Sequence, residues 1–574
     1  MQRKVSFASG AALLGLLLAA SGAAQGAHDL WASTAVYVAA LLGLAATLLL
    51  SAWSTEDPGL PVASAPWAAL VAAAMALSWR FSINPGESLL GLADWLCALV
   101  LFFAALRAFR EASAAEVFLA CLAPFLAFEA VVMVVQHARV VDPFNHQAPG
   151  TFPNAHGAVA FVLPWIPPLA ARTFGGSGQG NAPRWYWAMG LAGALACIPL
   201  AESVWGLLCV LLAAPFMLGL GPLKSWLTRH RVGAGAAAGA AAVFLAWVLW
   251  KKLHVSFQLA GPAMASGGHF VRLKWWASAW QMFLAHPWLG VGPDCFASAY
   301  PAFRDPSAAL NVRASHSLVL GSLAETGLIG AGSLAAFCAW WALRLKRRWA
   351  AVSDRWPFLL GLVLFASFAV VNVAAEYLAT LLSAALCLAL LAAPAAEPWW
   401  APRKSAALVA SALLLASLPW VVSPWMGSRL CVEGRAALEA GDLDRAARAF
   451  SAAIEVQPPH FEPERGLALV HAARHAATDD TAALAEAVAS QERAVGLNPL
   501  DPILRLELGT YLAASGRAAE ALAALDQADV LERGRPFWKD RLDALRRKLR
   551  RAGSDPAGGG ARRRPGVIHP GRRD

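Results

Sequence analysis

The chain is punctuated by apolar runs about as long as a bilayer is thick, and this spacing constrains the fold more than any single motif. An α-helix rises about 1.5 Å per residue, so about 20 apolar residues cross the hydrocarbon core. About thirteen such runs occur, near 6–25, 31–53, 61–79, 89–107, 115–136, 156–172, 185–201, 204–221, 232–250, 316–342, 356–373, 376–395 and 405–425. The first follows Arg3 and Lys4 and reads as an uncleaved span rather than a signal peptide ending at the small residues 21–24. Only 15% of the 574 residues are charged, against about 25% in soluble proteins. That excludes a soluble enzyme, a disordered tail protein and a disulfide scaffold. The expected fold is all-α, a polytopic membrane bundle of about 12–13 spans with a water-facing module.

The formal charge of +10 does not point to nucleic acid, because Lys and Arg are scattered between apolar runs rather than gathered on one face. They read as topology signals. With the N-terminus inside, the cytoplasmic loops hold Arg107 and Arg110; Arg172 and Arg184; Lys224, Arg229 and Arg231; Arg344, Lys346, Arg347 and Arg348; and Arg403 and Lys404. Cysteines fall mostly inside apolar runs without CxxC spacing, so neither a metal site nor a disulfide framework is expected. This layout makes 1–425 a transmembrane domain whose long loop, 251–315, faces outward together with everything after 425.

Beyond 425 the texture changes to Ala, Glu and Arg at helical spacing. Gly434, Gly441, Ala446, Phe450, Ala453 and Pro458 sit at the spacing of a tetratricopeptide unit, and Leu508, Gly509, Gly516, Ala521, Leu525 and Ala528 repeat most of it. Gly466, Ala487, Ala494 and Pro499 fit a middle unit. The spacing predicts a helical repeat domain over 428–548, followed by a disordered basic tail over 551–574.

Intramembrane charge is sparse, with Asp94, Glu129 and Glu325 the main cases. No pair of broken, inverted repeats is evident, which disfavours a transporter. The long loop is richer: residues 270–285 interleave Arg272 and Lys274 with Trp275, Trp276, Trp280 and Phe283, as an interfacial amphipathic helix would. On pattern alone this segment is as good an anchor as a site.

Several motifs then agree. The run Gly290-Val-Gly-Pro-Asp-Cys-Phe296 follows Arg272 and His286-Pro287 and precedes Ser315-His316-Ser317-Leu318 and Ala324-Glu325-Thr326-Gly327-Leu328-Ile329-Gly330. Gln136 and Gly150-Thr-Phe-Pro-Asn-Ala-His156 add a second region. Together they resemble the O-antigen ligase and polymerase family, over about residues 30–400. The resemblance implies a GT-C-like membrane glycosyltransferase that takes a glycan from a polyprenyl (undecaprenyl) diphosphate carrier at the outer face of the bacterial inner membrane. The acceptor is a lipid A core, a growing glycan or a protein hydroxyl. Neither metal nor other cofactor is implied; the partners are the lipid-linked glycan, membrane lipid and a protein on the repeat region.

By the same resemblance His316 is the candidate base, and Arg272 a diphosphate ligand. Arg313 is a candidate from its place three residues before His316. Glu325, Asn154 and His156 support the motif. Three features depart from the family pattern: Ser317 stands where relatives carry Asn after the key His, His156 where they carry the second Asn of the earlier loop, and Ser203-Val204-Trp205-Gly206 where they carry Ser-Arg-Gly. Either Arg139 or Arg313 supplies the missing guanidinium, or the core is a non-catalytic scaffold of polysaccharide assembly working through its repeats.

Overall fold

The computed structural model describes residues 2–53, 60–61, 63–139, 147–174, 182–218, 239, 243, 271–306, 312–372, 376–396, 399–400, 403–532 and 542–547. The 232–250 run, apart from two residues, and the 551–574 tail lie outside the described residues. The chain divides into two compact units. One comprises 1–82, 88–296 and 312–422; the other comprises 83–87, 297–311 and 423–574.

The first unit is a helical bundle. Its helices are α1 (Gln2–Ala23), α2 (Leu30–Trp53), α3 (Ala65–Arg80), most of α4 (Pro85–Ala108), α5 (Ala112–Arg139), α6 (Ala155–Val162), α7 (Ile166–Phe174), α8 (Arg184–Leu200), α9 (Val204–Leu218) and α10 (Val271–Ala285). After α11 (Phe296–Phe303) come α12 (Leu318–Arg347), α13 (Trp356–Ala369), α14 (Leu378–Ala392) and α15 (Lys404–Ala416). A two-residue antiparallel ladder pairs Leu60–Pro61 with Trp399–Trp400.

Apart from the 232–250 run, each expected run is helical, and eight described helical stretches are long and apolar enough to cross a membrane. The chain is a multi-pass membrane protein. Among the described residues the helices of membrane length are fewer than the runs because α3 and α8 have only 16 and 17 residues, covering about 24–26 Å, α1 and α9 contribute only shorter apolar windows, and the 232–250 run is not among those residues.

Small residues bring backbones together where apolarity alone cannot drive association in lipid. A Cβ on Gly193 of α8 would lie 2.4 Å from the Leu126 carbonyl oxygen of α5, and one on Gly361 of α13 would lie 2.2 Å from that of Pro164. Trp165, Phe118 and Phe161 are buried at the centre of this packing.

The second unit is built on α16 (Leu418–Glu439, from residue 423 on), α17 (Leu443–Val456), α18 (Phe461–Thr478), α19 (Thr481–Leu497), α20 (Pro502–Ala514) and α21 (Ala518–Leu531). Its small positions have a physical purpose. The Phe450 ring lies where Cβ atoms on Gly434 and Gly466 would stand, at 2.8 and 2.4 Å, and Leu525 crowds Gly509 at 2.9 Å. Gly441 and Gly516 turn the chain between helices at φ +80°, a conformation open to glycine.

Candidate active site at one end of the helical bundle

The glycine-rich motifs build a backbone interlock. The loop after α10 crosses α12 where Gly327 breaks the helix (φ 62°, ψ −166°). Val291 and Gly292 N–H groups donate to the Ala324 and Glu325 carbonyls at 3.0 and 2.8 Å, while Leu328 and Ile329 donate back to Pro287 and Trp288 at 2.8 and 3.1 Å. The break frees the carbonyls and N–H groups that these bonds use. Contact this close excludes side chains: a Cβ on Gly290 would sit 2.3 Å from the Glu325 carbonyl, and one on Gly327 2.4 Å from that of Trp288. Ser78 Oγ of α3 donates to the Leu289 and Glu325 carbonyls at 2.7 and 3.1 Å. Glu325 Oε1 accepts the Phe296 N–H at 3.3 Å, so its carboxylate braces this loop, as a structural member of the motif should.

The Gly150-Thr151 motif is clamped from α5. Gln136 both donates to the Gly150 carbonyl and accepts its N–H, each at 2.7 Å. Glu129 accepts the Thr151 N–H at 2.9 Å and its hydroxyl at 2.7 Å. The clamp fixes the entry to α6, where Asn154 caps the helix by accepting the His156 N–H at 2.8 Å. Asn154 therefore acts by orienting the turn that carries His156.

On these two scaffolds the chemical groups meet. His316 precedes α12, with Ser317 as N-cap, and holds a left-handed φ of 54°. That conformation is uncommon outside glycine and is often found at functional sites. Its ring stacks on Trp275 of α10, with centroids 4.6 Å apart. Nδ1 is buried without a hydrogen-bond partner among the described residues. Burial, and then the charge of Arg272, push the His316 pKa down to about 4, so the ring is neutral near pH 7. Arg272 donates to the Val371 carbonyl at 3.1 Å and faces His156 Nε2 at 3.5 Å. Neither of these partners is a carboxylate, and burial lowers the pKa of the guanidinium.

Arg313 is likewise met by an imidazole, donating to His28 Nε2 at 2.8 Å. His28 lies in the α1–α2 turn and meets Tyr377 edge-on at 5.6 Å; Tyr377 in turn packs on Phe152. Glu376, beside Tyr377, has its pKa pushed up to about 8 by burial and then by Glu325, against the pull of Arg313. Asn372, next to the carbonyl that Arg272 uses, is buried with neither amide atom hydrogen-bonded among the described residues.

Thus Arg272, His316, His156 and Asn154 come together, and Arg313 lies three residues from His316, at most about 11 Å along the chain. Arg139 is exposed on the last turn of α5, with no described contact to the others. At the departing turn Trp205 donates its indole N–H to the Ser367 carbonyl in the last turn of α13 at 3.0 Å; it ties down the end of that helix and supplies no cation. Sequence reasoning missed His28, Asn372 and Glu376. The available signal was polar residues interrupting apolar runs, but Glu376 falls within the expected 376–395 span.

Residues 189–335 match a family model described as O-antigen ligase, about a quarter of the chain. No match was found among curated proteins. The match takes in the interlock, Arg272, Arg313, His316 and Glu325, and leaves His28, the 150–156 turn and the 367–377 connection outside. Over those residues the chain is similar to the O-antigen ligase family.

Proposed function

We propose that the chain is a metal-independent glycosyltransferase that moves a glycan from a polyprenyl diphosphate to an acceptor hydroxyl at the outer face of the inner membrane. The reading is carried by one observation: two guanidiniums, neither hydrogen-bonded to a carboxylate among the described residues, stand by a histidine held neutral, Arg272 acting on it through space and Arg313 three residues before it in the chain. A guanidinium has no acceptor lone pair and binds phosphate oxygens with two donors. With no carboxylate hydrogen-bonded to them among the described residues, Arg272 and Arg313 suit a dianionic leaving group.

In the reaction, the acceptor oxygen attacks the anomeric carbon as the bond from that carbon to the diphosphate oxygen breaks. The diphosphate leaves with the electron pair and is stabilised by the guanidiniums. The acceptor proton passes to the neutral imidazole of His316. A base of pKa about 4 is weak, but part of that depression comes from Arg272. Diphosphate bound to Arg272 cancels part of its field, so the base strengthens once the donor is in place.

The basic ends Arg107, Arg110, Arg172, Arg184, Arg344, Lys346, Arg347, Arg348, Arg403 and Lys404 support an inward N-terminus and an outward His316. The second unit, read as tetratricopeptide repeats, would present an acceptor or an assembly partner.

The test is release of polyprenyl diphosphate from lipid-linked glycans of several classes in reconstituted membranes. His316→Ala and Arg272→Ala, at matched insertion, are each expected to lose about 100- to 10,000-fold in turnover. In the wild type kcat/KM should fall below about pH 4, where His316 protonates. The acid limb of kcat, which reports the donor complex, should lie at higher pH. Equal turnover by His316→Ala, or none by the wild type with any donor, would favour the scaffold reading that the Val204-Trp205 departure supports.

A further inference from the structure

The turn joining α1 to α2 is strained in an unusual way. Gln25, Gly26 and Ala27 follow one another at φ 55°, 67° and 54°, and two of the three carry a Cβ that disfavours the left-handed region. The turn is seated tightly, since a Cβ on Gly26 would stand 2.6 Å from the Phe152 ring and 3.5 Å from Tyr377 Cβ. It delivers His28, whose ring rests edge-on against Tyr377 and whose Nε2 accepts from Arg313 Nη1 at 2.8 Å. Strain of this kind persists only where surrounding structure holds it, and it collects at functional sites.

The choice of an imidazole has a consequence for charge. A carboxylate at this place would fix Arg313 and cancel it; a neutral imidazole fixes it and leaves the positive charge available. We propose that His28 is a positioning residue for anion binding, holding the Arg313 guanidinium toward the diphosphate of a lipid-linked substrate through an uncharged acceptor. This rests on the glycosyltransferase reading for the identity of the anion. The 2.8 Å contact and the seated turn stand independently of it.

Burial, and then the charge of Arg313, lower the His28 pKa, opposed by Asp29. The ring is therefore neutral, as an acceptor must be. Tyr377 presents its ring to His28 from the α13–α14 connection.

The experiment is binding of farnesyl diphosphate to the full chain in lipid nanodiscs, for wild type, His28→Met, His28→Gln, Arg313→Ala and the His28→Met/Arg313→Ala double variant. Methionine fills the space against Tyr377 without an acceptor of comparable strength, whereas the glutamine amide oxygen replaces Nε2. His28→Met should bind about 10-fold more weakly, the usual order for one hydrogen bond to a charged group, and His28→Gln should bind as wild type does. The double variant should bind no more weakly than Arg313→Ala alone, because His28 acts through Arg313. Wild-type affinity in His28→Met, additive losses in the double variant, or no rescue by glutamine at matched insertion would each overturn the assignment of His28 alone. No binding by wild type would overturn it together with the glycosyltransferase reading.

Discussion

The two units answer their arginines differently. In the second, C-terminal unit guanidiniums meet carboxylates: Arg465 with Glu507 at 2.6 Å, Arg474 with Asp444 at 2.6 Å, Arg493 with Glu464 at 2.9 Å and Arg517 with Glu520 at 2.6 Å. At the His316 end of the helical bundle Arg272 meets a carbonyl and an imidazole, and Arg313 an imidazole. The bundle has other arginines for comparison. Arg172 pairs with Glu116 at 2.7 Å, and buried Arg355 donates to the Phe109 and Leu390 carbonyls, at 3.1 and 2.6 Å, near the ends of α4 and α14. Helix C-termini carry partial negative charge, and the Val371 carbonyl that Arg272 uses, just past the end of α13, is of the same kind. What sets Arg272 and Arg313 apart from the paired arginines is that neither is hydrogen-bonded to a carboxylate among the described residues. A guanidinium paired with a carboxylate serves the fold; one without such a partner can meet an anion.

The largest expected effect comes from making the first region resemble the second. His156→Glu would give Arg272 a carboxylate in place of the imidazole whose Nε2 now lies 3.5 Å from its guanidinium. A carboxylate competes directly with diphosphate for the same donors, and close ion pairs of this kind carry several kcal/mol of coupling. Affinity for a polyprenyl diphosphate, measured in nanodiscs, should fall about 100-fold, while His156→Gln should stay near wild type. Unchanged affinity in the glutamate variant would remove the distinction between the two modes of pairing.

How much of this was legible in the sequence depends on what each feature rests on. The helices were readable because membrane length and apolarity act locally, and all described runs formed where expected. Arg272 and His316 were readable through a motif with strong local chemistry. The partners were not. His28 lies 285 positions from Arg313, and nothing local marks a lone histidine after a short turn as the acceptor of a distant guanidinium. Glu376 was absorbed into an apolar run because hydropathy averages over a window. The glycines of 290–292 and 327 were readable as a motif, but their purpose, backbone contact between two distant segments, emerged only from distances.

A smaller effect tests the scaffold beneath the site. Gly327→Ala adds a Cβ 2.4 Å from the Trp288 carbonyl, at a φ of 62°. Neither a left-handed alanine nor a displaced carbonyl is tolerated cheaply, and the loss should be about 2 kcal/mol or more, read as a lower thermal midpoint of the purified protein. Because the interlock holds the loop without binding the anion, donor affinity at temperatures where the variant is folded should fall less than in His156→Glu. A larger fall in affinity than in stability would put the interlock inside the binding site.

The smallest expected effect lies in the second unit. Glu507 receives both Nε and Nη2 of Arg465, at 2.8 and 2.6 Å, and also the Gln491 side-chain amide at 3.2 Å. The Arg465 side chain is 33% exposed, so water already screens part of the attraction. Glu507→Gln should cost only about 1 kcal/mol. The amide keeps an acceptor for Arg465 but loses the charge that neutralised it. That change creates, in the second unit, the same kind of cation that Arg272 presents in the bundle. Farnesyl diphosphate affinity should nonetheless stay at the wild-type value, because one half-buried guanidinium by itself lacks a second cation held alongside it. If Glu507→Gln instead gains a second diphosphate-binding event, an uncompensated arginine is sufficient by itself to bind the anion. The positioning supplied around Arg272 and Arg313 would then be a feature of catalysis rather than of recognition.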